Sequence, residues 1–152
     1  AAPGYQTLLK GQIPTVALPG DAGTVRVIAG EFSGARGPAK TFTPIELWDV
    51  DLRAGKTAEL SLPEGHTTAF LLLSGEVTVN SGQTARAGDL AVFTRAGRNL
   101  AVTASSDAKL LVMGGEPIDE PIVGHGPFVM NTRAEIQQAF EEYQLGRMGE
   151  LV

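Results

Sequence analysis

The sequence predicts an all-β domain, a barrel of short antiparallel strands followed by one short C-terminal α-helix. Three observations predict it. First, 19 Gly and 9 Pro are spread along the 152 residues and cut them into short apolar segments, the punctuation of a sandwich or barrel. Second, several of those segments alternate apolar and polar residues with the period of a half-buried strand. Third, helical periodicity is confined to the C-terminal end, so a parallel sheet with crossover helices is not supported.

The elements follow in chain order. Residues 1–22 are expected to form a polar, Pro-containing lead-in or linker, with Ile13, Val16 and Leu18 as anchors. The barrel is expected over residues 23–130. Thr24 to Ala29 alternates and stops at Gly30. Pro44 to Leu52 sets Ile45, Leu47, Asp49 and Asp51 on one face and Trp48, Val50 and Leu52 on the other. Lys56 to Leu62 puts Ala58, Leu60 and Leu62 on one face. Thr67 to Asn80 is long enough for two strands, broken at Ser74-Gly75. Asp89 to Thr94, Leu100 to Ala104 and Lys109 to Met113 complete about eight strands. Residues 131–152 are expected to form the helix and tail. Thr132 and Glu135 make a capping box. Ile136, Ala139, Phe140 and Tyr143 share one helical face, and Gly146 supplies a stop. That apolar face needs a surface, either the barrel itself or a neighbouring domain or subunit.

Composition narrows the function. A net charge of −5 and a pI near 5.0 argue against nucleic acid or an anionic membrane as a direct partner. With no Cys there is no disulfide framework, thiolate nucleophile or Cys-based zinc site. The longest apolar run, Ala69 to Leu73, is far too short to span a bilayer. The start, Ala1-Ala2-Pro3, lacks a signal-peptide pattern. A cytoplasmic location is therefore expected, with Ala1 exposed either by initiator-Met processing or by a cut from something longer. Gly-x-Ser-x-Gly, P-loop and dinucleotide-binding fingerprints are all missing. Asp49 and Asp51 form either an acid pair or part of a solvated outer face, and the charge pattern of strands favours the face. Arg26, Arg36, Lys40 and Arg53 read as surface charges.

Two segments carry a family resemblance. From Pro63 to Asn99 an apolar strand leads to Ser74-Gly75-Glu76, an alternating strand, and then Ala87-Gly88-Asp89-Leu90. Both turns use Gly, which reaches the needed backbone conformations at low cost. This frame resembles that of cupins, whose fold is a double-stranded β-helix, or jelly-roll barrel. The stretch from Gly114 to Gly149 holds Gly115-Glu116-Pro117, Glu120-Pro121-Ile122 and the run from His125 to Thr132, HGPFVMNT, ahead of the helix. It closely resembles the end of pirin proteins, and Val25 to Glu31 resembles the start of their C-terminal half. The resemblance covers roughly Tyr5 to Gly149. It implies the second barrel of a two-barrel protein, with iron in the N-terminal barrel and none in this one.

The same frame locates the positions where a cupin would place metal ligands. Counting from Gly75 and Gly88 puts the two histidines at Ser61 and Pro63, the carboxylate at Thr68 and the last histidine at Asn99. None of these side chains matches, so no metal and no cofactor are expected in this chain. Its two histidines are His66 and His125. His66 is expected at a strand end at the barrel mouth, with Glu64 and Glu76 as the only carboxylates offered for a grouping. His125 is expected to shape the loop that runs into the helix.

Three functions remain open. The first is a metal-free structural or interaction barrel, packed against an N-terminal cupin half or a second copy. His125, Phe128, Val129, Met130, Ile136, Phe140 and Tyr143 are its interface candidates, since buried aromatic area contributes strongly to such contacts. The second is part of an iron-dependent quercetin 2,3-dioxygenase, an activity the family resemblance implies through the other half. The third is a small-molecule-binding barrel lined by alternate residues from Leu71 to Val79 and Leu90 to Phe93.

Overall fold

The computed structural model describes residues 5–80 and 82–149. By their backbone contacts they fall into two units: one holds residues 8–117, the other residues 5–7 and 118–149.

The larger unit is a pair of antiparallel sheets. Its strands are β1 (Thr15–Ala17), β2 (Gly23–Ala29), β3 (Glu31–Phe32), β4 (Ala35–Arg36), β5 (Ile45–Leu52), β6 (Thr57–Ser61), β7 (Thr67–Ser74), β8 (Glu76–Val79), β9 (Gln83–Arg86), β10 (Leu90–Val92), β11 (Asn99–Ala104) and β12 (Ala108–Gly115). One sheet has the order β1-β2-β5-β12-β7-β10 and the other β6-β11-β8-β9, while β3 and β4 form a small hairpin. The sheets are not hydrogen-bonded into a closed barrel among the described residues. Both contribute their inward side chains to one core, as facing sheets do. Trp48, Phe70, Leu72, Leu110 and Val112 come from the six-stranded sheet, and Leu60, Val77 and Val102 from the four-stranded one; each is at most 1% exposed.

The alternation that predicts the strands also sets this core. Trp48, Val50 and Leu52 are buried on β5, and Ala58 and Leu60 on β6. The expected break at Ser74-Gly75 separates β7 from β8 and passes the chain between sheets. Gly75 has φ +86° there, and a Cβ on it would lie 2.4 Å from the Asp107 carbonyl oxygen. Only glycine fits both the backbone angle and the space.

The lead-in is not merely a linker: β1 pairs with β2, and Leu18 and Ala22 are buried in the core. Three residues are too few to show a period, so the strand leaves no pattern to read. The expected barrel span, residues 23–130, and the larger unit share residues 23–117.

The smaller unit holds β13 (Val123–His125), β14 (Phe128–Met130) and α1 (Arg133–Gln144). The capping box is as read: the Glu135 N–H donates to Thr132 Oγ1 at 3.2 Å, and the Thr132 N–H donates to Glu135 Oε2 at 2.8 Å. At the other end the Arg147 N–H donates to the Glu142 carbonyl at 2.9 Å and the Gly146 N–H to that of Tyr143 at 3.1 Å. Gly146 has φ +68°, which makes this a Schellman stop.

Candidate functional site

The sequence-derived ligand positions lie at one end of the two sheets. Thr68 is on the interior face of β7 and 9% exposed. In register it stands opposite Gly114 of β12, which stands opposite Glu46 of β5. Asn99 opens β11 and pairs with Ser61 of β6. Strand alternation sets which of these side chains face inward. Ser61 is exposed, whereas Leu60 and Leu62 point inward and are 1% and 3% exposed. Pro63 opens a tight turn in which its carbonyl accepts from the His66 N–H. The inward neighbour of the counted histidine positions is therefore Leu62.

A cavity of about 110 Å³ opens at this end, lined by Leu62, Thr68, Phe93, Arg98, Asn99 and Leu100 among others. The alternate residues expected to line a ligand pocket instead fill the core: Leu72, Val77 and Val79 are buried. Larger depressions lie elsewhere. One of about 430 Å³ borders Glu31, Arg36, Thr41 and Glu46, and one of about 350 Å³ borders Asp51, Arg53, Asp107 and Lys109. Arg36 and Arg53 thus sit at surface hollows, with Arg53 paired to Asp21.

His66 has a partner that the sequence does not reveal. Its Nδ1 is 3.1 Å from Glu46 Oε2, and the two side chains are only 13% and 12% exposed. The residues are 20 apart, and only the β5–β12–β7 register brings them together. Gly114 makes room: a Cβ there would lie 2.9 Å from Glu46 Oε2 and 2.7 Å from Leu62 Cδ2. With Nδ1 engaged by the carboxylate, the imidazole is fixed in orientation. Glu76 does not join it. Glu76 lies on β8 in the other sheet and accepts from Arg86 Nε at 2.8 Å. That hydrogen bond and the Glu76 charge raise the guanidinium pKa above its ordinary value. Among the described residues, three or more His, Asp or Glu do not gather closely enough to hold a metal.

Asp49 and Asp51 share the outer face of β5, as read. Arg26 Nη1 is 3.0 Å from Asp49, and Lys109 Nζ is 3.7 Å from Asp49 and 3.1 Å from Asp51. This cross-strand ladder accounts for both acids without a catalytic role. In the smaller unit the interface candidates meet one another. Phe140 packs edge-on against Phe128 at 5.0 Å and His125 at 5.6 Å, and Phe128 is 6.2 Å from Tyr143. Ile136 is buried, Met130 half-buried, and Val129 and Tyr143 are 67% and 65% exposed.

Comparison with known proteins decides the family. Residues 47–149 match the model of the pirin C-terminal cupin domain. The chain belongs to the pirin family. A Pseudomonas aeruginosa protein named "Putative quercetin 2,3-dioxygenase" is 48% identical over 145 residues, which are 95% of this chain and 50% of that one. A tomato (Solanum lycopersicum) pirin-like protein is 35% identical, over 97% of this chain and 51% of its own length. The crystal structure of a quercetin 2,3-dioxygenase from Acinetobacter baumannii superposes with a TM-score of 0.90 at 41% identity, covering 98% of this chain and 52% of that one. This pirin-family chain therefore spans about half the length of the relatives it matches, and its jelly roll is a cupin fold.

The donor set at the cupin position does not fit iron. Iron in such a fold takes imidazole and carboxylate ligands. The mouth offers instead a Thr68 hydroxyl, an Asn99 amide and the apolar Leu62, Phe93 and Leu100, and Glu46 and His66 are spent on each other. In the described residues, membrane-spanning length and apolarity are not reached by any helix.

Proposed function

We propose that this chain is the metal-free C-terminal barrel of a two-barrel pirin-family protein. Its role is structural: it packs against an N-terminal cupin barrel that carries the iron, and it presents surface to partners. The observation that carries this reading is the chemistry of the mouth. Leu62, Thr68 and Asn99 occupy the end of the sheets where a cupin would gather its ligands, and neutral oxygen and hydrocarbon cannot replace imidazole and carboxylate around iron. The match to a domain described as C-terminal, and coverage of about half of each relative, support the same view. A cytoplasmic location belongs to the same reading.

A second reading has its own support. Relatives named as quercetin 2,3-dioxygenases favour a complete protein that is a dioxygenase, to which this barrel contributes by position rather than chemistry. Quercetin absorbance followed in air, with ferrous iron supplied, separates the structural role from an autonomous enzyme. The chain alone is expected to give no turnover above the iron blank. Turnover proportional to chain concentration would overturn the structural role.

A further inference from the structure

Thr68 of β7 is a polar residue buried on the inward face of the larger unit, 9% exposed. Its carbonyl accepts from the Phe93 N–H at 2.9 Å. Its hydroxyl has no hydrogen-bond partner among the described residues, although a buried hydroxyl normally finds one. The residue borders the cavity of about 110 Å³ at the mouth. Two neighbours there offer donors. Arg98 is held at the rim by its carbonyl, which accepts from the Leu62 N–H at 2.9 Å. Its guanidinium makes no ion pair among the described residues. Asn80 spends its Oδ1 on the Ala101 N–H at 3.0 Å, which leaves its amide N–H groups to the cavity. Among the described residues, no acidic side chain lines this space, and Arg98 is its one basic side chain. Glu46 shares the inward row, yet it lies two strands from Thr68, across Gly114, and is held by His66. Leu62, Phe93 and Leu100 supply apolar walls, and Phe93 rests on Phe70 with ring centroids 5.8 Å apart.

We propose that this mouth is a binding site for a small organic monocarboxylate. Donors with no opposing acid complement an anion. One cation matches one negative charge, and a guanidinium takes a carboxylate as a bidentate partner. The Thr68 hydroxyl and the Asn80 amide offer its oxygens further donors. The apolar walls suit a short hydrocarbon end and disfavour a strongly hydrated inorganic dianion, whose lost hydration they do not repay. Size sets the class: at about 30 Å³ per water the cavity holds about three or four waters, or an acid of about two to four carbons. The larger hollows lack this one-sided chemistry. One sets Glu31 and Glu46 beside Arg36, and the other sets Asp51 and Asp107 beside Arg53 and Lys109. The site needs no metal. It goes beyond the structural role above and stands independently of a second barrel.

The test titrates the isotope-labelled 152-residue chain with sodium propanoate at neutral pH and constant ionic strength, followed by amide chemical shifts. Saturable shifts are expected at Thr68, Phe93, Arg98 and Leu100, with a Kd of about millimolar, as so few ligand atoms allow. Arg98→Gln should weaken binding about tenfold or more, and Thr68→Val about threefold or more. Arg36→Gln removes the same charge at another hollow and should leave binding unchanged. Propanamide, neutral and of the same shape, should give no saturable shift. Equal binding of propanamide, or unweakened binding of propanoate by Arg98→Gln, would overturn the proposal. Inorganic phosphate that saturates the same amides more tightly than propanoate would overturn the assignment to an organic acid. Shifts that stay linear in concentration and scatter over the surface would overturn the site itself. The same spectra report folding, so a misfolded Thr68→Val is recognised, and Arg98→Gln, exposed at the rim, still decides.

Discussion

Gly75→Ala and Gly97→Ala form a matched pair of perturbations. Both glycines sit in the left-handed region, with φ +86° and +87°. An alanine at either pays about 1–2 kcal/mol of backbone strain. The surroundings differ. At Gly97 a Cβ would meet nothing within 4 Å, whereas at Gly75 it would lie 2.4 Å from the Asp107 carbonyl oxygen and 2.9 Å from Ala108 Cα. Those are backbone atoms at the start of β12, so relief requires moving a strand. Overpacking of that kind adds about 1–3 kcal/mol. The expected losses are thus about 2–5 kcal/mol at Gly75 and about 1–2 kcal/mol at Gly97. Urea unfolding followed by fluorescence reports this directly, because the single Trp, Trp48, is 1% exposed in the core. The midpoint should fall further for Gly75→Ala with the slope unchanged. Equal losses for the two variants would refute the close-approach reasoning and leave only the φ angle.

Other substitutions probe other levels of the fold. Leu110→Ala empties a fully buried position between β5 and β7 and should cost about 2–5 kcal/mol in the same unfolding experiment. A double-mutant cycle on Glu46→Ala and His66→Ala should return a coupling of about 1.5–3 kcal/mol, the range for a hydrogen bond to a charged group; additive losses would mean that the pair does not interact in solution. Thr132→Ala removes the acceptor for the Glu135 N–H and should cost about 1 kcal/mol, seen as faster hydrogen exchange in the first turn of α1 with little change in the core strands.

What the sequence discloses depends on the length and locality of each signal. The helix cap is legible because Thr132 and Glu135 are three residues apart and act on each other. The long strands β5 and β7 are legible because eight residues show a period. β3, β4, β9, β13 and β14 hold two to four residues each and show none. The counted positions Ser61, Thr68 and Asn99 share one end of the sheets, and Ser61 is exposed there. Spacing from turn glycines carries no facing, and the observed alternation around Leu60 and Leu62 fixes which side chains enter the interior. The Glu46–His66 pair stayed hidden because cross-strand register, not spacing, joins β5 to the start of β7 through Gly114. The run Ala69 to Leu73 reads as uniformly apolar. Phe70 and Leu72 fill the core while Leu71 and Leu73 face outward, which is how one short segment serves both the core and the outer face of the sheet.

The central claim is that this barrel holds no metal of its own. Elemental analysis of untagged chain, purified from medium supplemented with iron, manganese, nickel and copper, tests it most directly. With Leu62, Thr68 and Asn99 at the mouth, each metal is expected far below one per chain. A transition metal bound at one per chain, and lost when His66→Ala is introduced, would contradict the account and make the Glu46–His66 pair a ligand set.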